Sequence, residues 1–311
     1  MKKLIIIPYF GKFSNYFDLY LYSISRNEDI DFLFFTDADV ASYPSYRNIR
    51  FVKMSWKEMQ LRIQSKFDFD VCIDKPYKLC DYKPCYGAIF DDYTAGYDFW
   101  GFGDTDLIMG RISAHLNDDI FKKYDRILHC GHLTFIRNCE EMNFFFKKQF
   151  NGFLNYQEVL SHPDSFRFDE TGLGGTSDMM IAHCPDRIYT HIDYDDLWIP
   201  RRYYGFKNVN TEHLLFLHYR YSNGSLKRCY FSLKHLSFVE EETMYVHMQK
   251  RRMDIPQKID NKDYWVFSDY FITKTSMGFC ERLYRSRPKM IDNFVNKITK
   301  RLKNCLLYTS P

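Results

Sequence analysis

Two carboxylates separated by a single residue, Asp104 and Asp106, follow the aromatic and glycine-containing run at 99–103. In an extended segment this spacing puts both carboxylates on one side of the chain and Thr105 on the other. Carboxylate oxygens are hard ligands, and a pair of them at the end of a buried strand suits a divalent cation shared with phosphates. Acidic turns also contain Asp-x-Asp, so the pair alone leaves a metal site and a plain turn equally open.

A second group able to do chemistry is His247, which ends a short apolar run and precedes Lys250 and two arginines. An imidazole can ligate a metal, and the cations that follow can bind phosphate oxygens. A single histidine in such a run more often packs in a core. The cationic residues immediately after His247 favour the functional interpretation.

Three lysines and an aspartate occur within residues 75–84, among them Lys78, Asp81 and Lys83. The prolines of this stretch predict a helix start, where lysines are poorly placed relative to the helix dipole. An anionic diphosphate would account for their position, and a solvated turn is the alternative. We expect the segment to face a phosphate group.

The polar, glycine-rich stretch at 166–180 carries three carboxylates, Asp169, Glu170 and Asp178, and leads into a predicted helix. Its Gly-x-Gly-Gly pattern lacks the spacing of a dinucleotide-binding loop. We therefore interpret the stretch as an acceptor-side loop that carries a base or a stabilising carboxylate.

The elements that must position these groups begin with apolar runs at 3–9, 31–37 and 49–54, which predict buried strands. Helical spacing intervenes at 16–24 and follows at 57–65, and further helices are expected at 112–124 and 140–150. The alternation predicts an α/β sheet with ligands outside the carboxyl ends of its strands. Tyr9 and Asp37 would lie at two such ends, although a core tyrosine and a turn aspartate remain open alternatives.

Composition sets the remaining limits. The chain has 311 residues, a net charge of +3 and 19% aromatic residues. Its nine cysteines form no C-x-x-C pair, so neither a disulfide framework nor a structural zinc site is indicated, and we expect a reducing, cytoplasmic compartment. The basic character is concentrated from residue 280 onward, which disfavours nucleic acid as a partner of the whole chain. No apolar stretch has transmembrane length, and because Pro8 ends the short apolar run at 4–7, we do not expect that run to act as a secretion signal.

The sequence resembles the bacterial glycosyltransferases of capsule and O-antigen gene clusters that have a GT-A type fold and a DxD motif. The resemblance extends over residues 3 to about 253. It rests on Ile-Ile-Pro-Tyr-Phe-Gly (6–11), Lys-Pro-Tyr-Lys-Leu-Cys-Asp-Tyr-Lys-Pro (75–84), Tyr-Asp-Phe-Trp-Gly-Phe-Gly-Asp-Thr-Asp-Leu-Ile (97–108) and Tyr-Val-His-Met-Gln-Lys-Arg (245–251).

The resemblance implies a GT-A (Rossmann-like) α/β fold with a mixed, mainly parallel sheet flanked by helices. It also implies hexosyl transfer from a nucleotide-diphospho-sugar, with a UDP-sugar favoured, and Mn²⁺ or Mg²⁺ held by Asp106 and His247 with Asp104 nearby. The glycine that often follows such a histidine in retaining relatives is missing after His247, so the stereochemical outcome stays open.

The remaining site residues are assigned with this chemistry in view. Charge forming on the leaving diphosphate would be stabilised by the metal together with lysine side chains, while the nucleoside would be held at the sheet edge and the acceptor activated by a carboxylate. The diphosphate ligands would be Lys78, Lys83 or Lys250; Tyr9 and Asp37 would hold the base and Asp81 the ribose; and Asp169, Glu170 or Asp178 would deprotonate the acceptor hydroxyl or stabilise an oxocarbenium-like centre.

Two other functions use some of the same residues. A metal-dependent phosphohydrolase would also need clustered Asp and His, but for two metals rather than one. A non-catalytic carbohydrate-binding protein would explain the aromatic residues but not the lysines at 75–84 or the His247-x-x-Lys250 spacing.

We expect residues 1–260 to form the catalytic domain and residues 261–311 a C-terminal extension with a basic amphipathic helix from Met290 onward. Apolar residues recur there at helical spacing among lysines and arginines, which is typical of an interfacial helix. This pattern predicts peripheral contact with the anionic inner face of the cell membrane, where a lipid-linked glycan acceptor would lie. Packing of the same helix on the catalytic domain is the alternative.

Overall fold

A computed structural model describes residues 1–198, 205–210, 214–255 and 258–287 of the chain. Contacts divide the chain into two units: the first comprises residues 1–105 and 112–192, and the second comprises residues 106–111 and the residues from 193 onward. The strands are β1 (Lys3–Pro8), β2 (Ile30–Thr36), β3 (Ile49–Lys53), β4 (Phe99–Gly103), β5 (Leu107–Met109), β6 (Arg126–Cys130), β7 (Leu133–Arg137), β8 (Ile188–Tyr189), β9 (Tyr194–Trp198), β10 (Gly205–Asn208), β11 (Leu215–Ser222), β12 (Ser225–Ser232), β13 (Ser237–Glu242), β14 (Tyr245–His247), β15 (Asp263–Val266) and β16 (Phe271–Ile272).

The helices are mostly short. They are α1 (Phe17–Ser25), α2 (Trp56–Gln64), α3 (Leu79–Tyr82), α4 (Tyr86–Ile89), α5 (Asp91–Thr94), α6 (Asp118–Lys123), α7 (Glu140–Asn143), α8 (Tyr156–Ser161), α9 (Thr176–His183) and α10 (Phe279–Ser286), with 3₁₀ turns at Pro76–Lys78, Lys83–Cys85, Ile112–Ala114, Phe145–Lys147 and Pro185–Arg187.

The first unit is built on a seven-stranded sheet of order β3-β2-β1-β4-β7-β6-β8. Strands β3, β2, β1 and β4 run parallel to one another, whereas β7 is antiparallel to both β4 and β6. The residues of β1 and β2 are almost all buried, as expected for strands covered on both faces. Their apolar side chains, including Leu4 and Leu33, join Trp100 of β4 in the core of this unit.

Local sequence explains where α2 begins. The Ser55 hydroxyl accepts a hydrogen bond from the Glu58 amide, and the Glu58 carboxylate accepts one from the Ser55 amide, which is a capping box. Met59 and Ile63, one turn apart on one face of the helix, are fully buried in the same core.

The second unit contains two sheets. One is four-stranded, of order β10-β9-β14-β5, and the other is five-stranded and antiparallel throughout, of order β13-β12-β11-β15-β16. Asn223 and Gly224 join β11 to β12 with φ values of 47° and 93°, the left-handed pair that a two-residue hairpin turn needs. The hairpin predicted around Ser222-Asn223-Gly224-Ser225 is therefore confirmed.

The mixed α/β class with sheets flanked by helices is confirmed. The mainly parallel arrangement describes the seven-stranded sheet, while most strand pairs of the other two sheets are antiparallel.

The predictions of a continuous helix at 112–124 and of another at 140–150 were wrong. Asn117 begins a new helix by accepting hydrogen bonds from the Asp119 and Ile120 amides, and adjacent Phe145 and Phe146 are both buried in a turn after α7.

The predicted domain boundary at residue 260 falls within the second unit, just before β15, which pairs with β11. Beyond the five-stranded sheet the structure describes α10. The basic amphipathic helix predicted from Met290 onward lies outside the described residues. Within the described part of the chain, no helix has both the length and the apolar character to cross a membrane.

Candidate functional site

The Asp-x-Asp motif starts where a buried strand stops. Strand β4 is buried along its whole length, and Asp104 follows its last residue, Gly103. The Asp104 amide donates a hydrogen bond to the carbonyl of His132, which fixes the backbone at this point. The sequence prediction that a buried strand delivers the motif is thus confirmed.

The seven-stranded sheet reverses its order at the β1/β4 pair, because β2 and β3 follow on one side of β1 and β4 lies on the other. Ligands of open α/β sheets bind outside the carboxyl ends of the strands at such a reversal. Tyr9 directly follows β1, and Asp104 directly follows β4. Tyr9 is half-buried, and its ring stacks on Phe13 with a centroid distance of 4.7 Å. Asp37 is exposed immediately after β2.

Lys83 connects two carboxylates in the first unit. Its ammonium nitrogen lies 2.8 Å from Asp104 Oδ1, 3.2 Å from Asp169 Oδ2 and 2.8 Å from the Gly131 carbonyl oxygen. Burial alone would lower the pKa of Lys83, but the two carboxylates outweigh it and raise that pKa well above its ordinary value. Lys83 is therefore a permanent cation that holds Asp104 and Asp169 in fixed positions.

Asp169 is 2% exposed, and its burial raises the pKa of the carboxyl group to about 6 even though Lys83 acts in the opposite direction. Glu170, the next residue, is half-buried. Both carboxylates pack against Gly131: a Cβ atom there would overlap Asp169 Oδ2 and lie 3.0 Å from Glu170 Oε1. A side chain at position 131 would have to displace the Asp169 carboxylate, so glycine preserves this close approach, which sequence analysis did not anticipate.

Lys78 and Asp81 have a different task from Lys83. The Lys78 ammonium group is 1% exposed and donates to Asp81 Oδ2 at 2.8 Å, to the Val159 carbonyl at 2.8 Å and to the Asp164 carbonyl at 2.5 Å. The Asp81 carboxylate accepts hydrogen bonds from the amides of Phe166 and Phe168. This buried pair fastens the segment 159–168, so the hydrogen-bonding groups of both side chains are used within the fold.

The carboxylate of Asp178 also serves the backbone. It accepts hydrogen bonds from the amides of Gly172, Leu173 and Gly174, and it lies in the first turn of α9. Gly172 and Gly174 have φ values of 92° and 80°, in the left-handed region that favours glycine. Asp178 thus orders the glycine-rich loop, which leaves Asp169 and Glu170 as the candidate acceptor-side carboxylates.

Asp106 and His247 both belong to the second unit, and both are buried. Asp106 directly precedes β5, and His247 is the last residue of β14, the strand that pairs with β5. His247 Nε2 lies 3.2 Å from Asp106 Oδ2, which also accepts a hydrogen bond from the Lys250 amide. The Met248 amide donates to the Asp106 carbonyl at 2.8 Å. The other carboxylate oxygen, Asp106 Oδ1, is buried and has no hydrogen-bond partner among the described residues.

Asp196, on β9, orients the histidine. Its Oδ1 atom lies 3.2 Å from His247 Nδ1, and its carboxylate also accepts hydrogen bonds of 2.7 and 2.9 Å from the Gln249 side chain. Burial lowers the pKa of His247, but hydrogen bonds to Asp106 and Asp196 outweigh burial and raise this pKa to about 10. Sequence analysis missed Asp196; the acidic run at 193–196 was its only signal.

The turn after β14 contains two residues in a backbone conformation that is unfavourable for residues other than glycine. Gln249 and Lys250 have φ values of 52° and 56° without being glycines. This turn directs the Lys250 amide to Asp106 and the Gln249 side chain to Asp196, while the Lys250 side chain is exposed. Backbone strain is thus located where it shapes the surroundings of Asp106 and His247.

Asp104, Asp106 and His247 each offer one ligand atom, and these atoms lie within 4.8 Å of one another. Two carboxylates and one imidazole are ligands that a divalent cation such as Mn²⁺ accepts. A buried carboxylate oxygen without a hydrogen bond is costly in a folded protein, and coordination to a cation would satisfy Asp106 Oδ1. The residues present therefore fit a divalent cation.

Comparison with known proteins gives a family but no activity. None of the curated proteins matches the sequence. The model of a family of unknown function, DUF6625, matches residues 5–277, which include every candidate site residue described above. Because the match extends over most of the chain, this protein belongs to the DUF6625 family.

Proposed function

We propose that this protein is a metal-dependent glycosyltransferase of GT-A type that transfers a hexose from a nucleotide-diphospho-sugar, with a UDP-sugar favoured. The observation that carries the proposal is the group of Asp104, Asp106 and His247, in which Asp106 Oδ1 is buried and accepts no hydrogen bond from any residue that the structure describes. The carboxylates suit Mg²⁺ or Mn²⁺, and the imidazole favours a transition metal, so Mn²⁺ meets both preferences.

A cation held by these three residues would neutralise the diphosphate as the bond from the anomeric carbon to phosphate breaks. The side chain of Lys250 is exposed next to Asp106, to which its own amide is bonded, and it is suited to bind a phosphate oxygen. Asp196 orients His247 by accepting from its Nδ1 atom, so that Nε2 points to the ligand side.

The order of the seven-stranded sheet supports a nucleotide site in the first unit. Tyr9 and Asp104 lie at the carboxyl ends of the two strands where the strand order reverses, and Asp37 lies at the end of the next strand. We assign the base to Tyr9 and Asp37, because a ring that stacks and an exposed carboxylate suit a nucleobase and its polar edge.

The acceptor side is assigned to Asp169 and Glu170. With a pKa of about 6, the Asp169 carboxylate is ionised at neutral pH and basic enough to accept the proton of an attacking hydroxyl group. Lys83 then holds Asp169 while also holding Asp104, so the group that activates the acceptor and the first carboxylate of the motif share one cation. If the reaction retains configuration, the same carboxylates would stabilise the positive charge that develops on the sugar.

The acceptor we propose is a surface polysaccharide or a lipid-linked oligosaccharide, which the enzyme would meet at the inner face of the cell membrane. The basic and apolar sequence from residue 290 onward is the observation behind this part of the proposal.

A thermal-shift screen tests the proposal. The chain is incubated with UDP-, GDP- and CMP-sugars, each with and without Mn²⁺, because a ligand that binds only the folded state raises the melting temperature as its concentration rises above its dissociation constant. We expect one nucleotide sugar to stabilise the protein only when Mn²⁺ is present, and Asp106→Ala to remove that response. Asp119→Ala, which changes an aspartate that is 85% exposed on α6, serves as the matched control.

Two results would decide against the proposal. Turnover of simple phosphate esters without any response to sugar nucleotides would indicate a metal-dependent phosphohydrolase. Binding of sugars that persists in chelator, with no transfer, would indicate a carbohydrate-binding protein.

A further inference from the structure

The turn between β12 and β13, residues 233–236, presents two leucines to solvent; we call it the hairpin tip. Leu233 is 69% exposed and Leu236 is 73% exposed, which makes them the most exposed large apolar side chains in the described part of the chain. Single exposed leucines are ordinary, but two on one four-residue turn concentrate apolar surface at a protruding point.

The backbone of the hairpin tip makes the choice of leucine more informative. Leu236 has a φ of 49°, in the left-handed region where glycine and asparagine are favoured and a leucine is strained. Turn chemistry alone would therefore select a polar residue or glycine here. A strained, solvent-exposed leucine indicates that the side chain has a use outside the folded unit.

Helix α10 begins beside the strands that carry the hairpin tip. The ring of Phe279, the first residue of α10, packs against Phe231 of β12 at 5.7 Å and against Phe238 of β13 at 5.6 Å. Phe279 is itself 47% exposed, and Tyr284 of the same helix is 64% exposed. Tyrosine, which has an apolar ring and a polar hydroxyl group, is typical of residues at a membrane interface, and Tyr284 is such a residue.

The charge near the hairpin tip is positive. At the tip itself Lys234 and His235 are exposed and residues 231–239 contain no acidic residue, whereas three glutamates, 240–242, follow at the far end of β13. In α10, Arg282 pairs with Glu240 at 3.2 Å and Arg285 pairs with Glu281 at 2.8 Å, while the sequence that continues from Arg287 is rich in lysine and arginine. Apolar anchors with cations around them complement the surface of an anionic bilayer.

We propose that the hairpin tip inserts Leu233 and Leu236 into the interfacial layer of an anionic lipid bilayer, with α10 lying at the same surface. A stable protein partner would require a face of about 800 Å² on each side, and two leucines on a turn form a point rather than a face. A bilayer can take up single side chains, because each apolar side chain that enters it contributes its own free energy of burial.

This surface is independent of the proposed transfer reaction and would remain if that function proved different. It differs also from the basic tail, since the hairpin tip belongs to the described residues of the five-stranded sheet.

The test is sedimentation of the full-length chain with vesicles of phosphatidylcholine that contain phosphatidylglycerol, and with vesicles of phosphatidylcholine alone. We expect binding to the anionic vesicles. The double variant Leu233→Ser/Leu236→Asn should bind at least about tenfold more weakly, since each leucine contributes through apolar burial. Asparagine suits the left-handed position, so the melting temperature of the double variant should not fall. Leu61→Ser, at a leucine that is 57% exposed on α2, is the matched control and should bind like the wild type.

The proposal fails if the double variant binds anionic vesicles as tightly as the wild type, if the wild type does not bind them, or if Leu61→Ser loses as much binding as the double variant. It also fails if sedimentation in the absence of vesicles shows that the wild type is a dimer and the double variant a monomer, because the hairpin tip would then contact a second copy.

Discussion

The acidic groups of the two units differ in how their charges are matched. In the first unit, one ammonium group satisfies two carboxylates: Lys83 lies 2.8 Å from Asp104 and 3.2 Å from Asp169. In the second unit, Asp106 directs one oxygen to His247 and to the Lys250 amide, while its other oxygen is buried without a hydrogen bond in the described structure.

This difference indicates two purposes: the carboxylates of the first unit are held in position by a protein cation, whereas Asp106 keeps an oxygen that is able to bind a cation. A carboxylate held by a protein cation is already oriented and needs no ligand to stabilise it, which suits the role of base that we propose for Asp169. A buried carboxylate oxygen that no described residue satisfies keeps its capacity for a cation. The first unit thus holds its carboxylates in position, and the second contains the carboxylate to which we assign a cation.

The largest effect is expected from Asp106→Ala, which removes the carboxylate with the unsatisfied oxygen. Loss of metal-assisted charge stabilisation should lower the rate of transfer by about a thousandfold or more. The melting temperature without Mn²⁺ should fall modestly, because the variant removes the unsatisfied oxygen but also takes away the acceptor of the Lys250 amide and of His247 Nε2. Rates measured with a radiolabelled sugar nucleotide, beside Asp119→Ala, check this. Wild-type rates in the Asp106 variant would assign the motif to a simple turn.

Asp169→Asn should lower the rate by about 10²- to 10⁴-fold, the range for loss of a general base. The pH profile gives the sharper test. Because burial raises the pKa of Asp169 to about 6, the wild-type rate should rise with pH up to about 6 and then level off. The asparagine variant should lose this acid limb. A limb near pH 6 that persists in Asp169→Asn would transfer the role of base to another group, with Glu170 tested next.

The Asp169 carboxyl group should also make stability depend on pH, but stability should fall as the pH rises, whereas the rate should increase. A raised pKa in the folded state means that the folded protein keeps its proton while the unfolded chain loses it, from about pH 4 upward. The contribution of Asp169 to stability is therefore present at low pH and is lost as the pH rises to about 6. Asp169→Asn should flatten this part of the dependence of melting temperature on pH.

Sequence analysis predicted the strands that lead to the site because their signals are local. Continuous apolar runs predicted β1, β2 and β3, and β4 ends where Asp104 begins. The alternation of strands and helices likewise indicated the α/β class. In these stretches, hydrophobic patterning and position along the chain agree.

The sequence could not show which charged side chains make contacts that stabilise the fold. Lys78 and Lys83 are five residues apart and look equivalent in sequence, yet one ties down the segment 159–168 and the other joins Asp104 to Asp169. The role of Asp196 could not be predicted for the same reason, because its contact with His247 depends on the pairing of β9 with β14. Long-range pairing decides such roles, and single-sequence patterns do not contain it.

A smaller effect is expected from Asp196→Asn, which keeps the shape of the side chain but weakens its hold on His247 Nδ1. Partners that orient a metal-ligating histidine typically contribute about 10- to 100-fold to metal affinity. Titration of Mn²⁺ in the presence of the nucleoside diphosphate, followed by the paramagnetic resonance of free Mn²⁺, measures this. Unchanged Mn²⁺ affinity with a lowered melting temperature would make Asp196 a purely structural residue.

The smallest effect separates the backbone of residue 250 from its side chain. Lys250→Ala and Lys250→Gly both remove the ammonium group but keep the amide that donates to Asp106, so both should weaken binding of the nucleoside diphosphate equally. Their stabilities should differ, because only glycine adopts a φ of 56° without strain. We expect the glycine variant to exceed the alanine variant by about 1 kcal/mol in the free energy of unfolding. Chemical denaturation and calorimetric titration of the diphosphate measure the two quantities separately. Equal stabilities would show that the turn carries no strain, and unequal affinities would show that backbone geometry, rather than the ammonium group, controls diphosphate binding in the second unit.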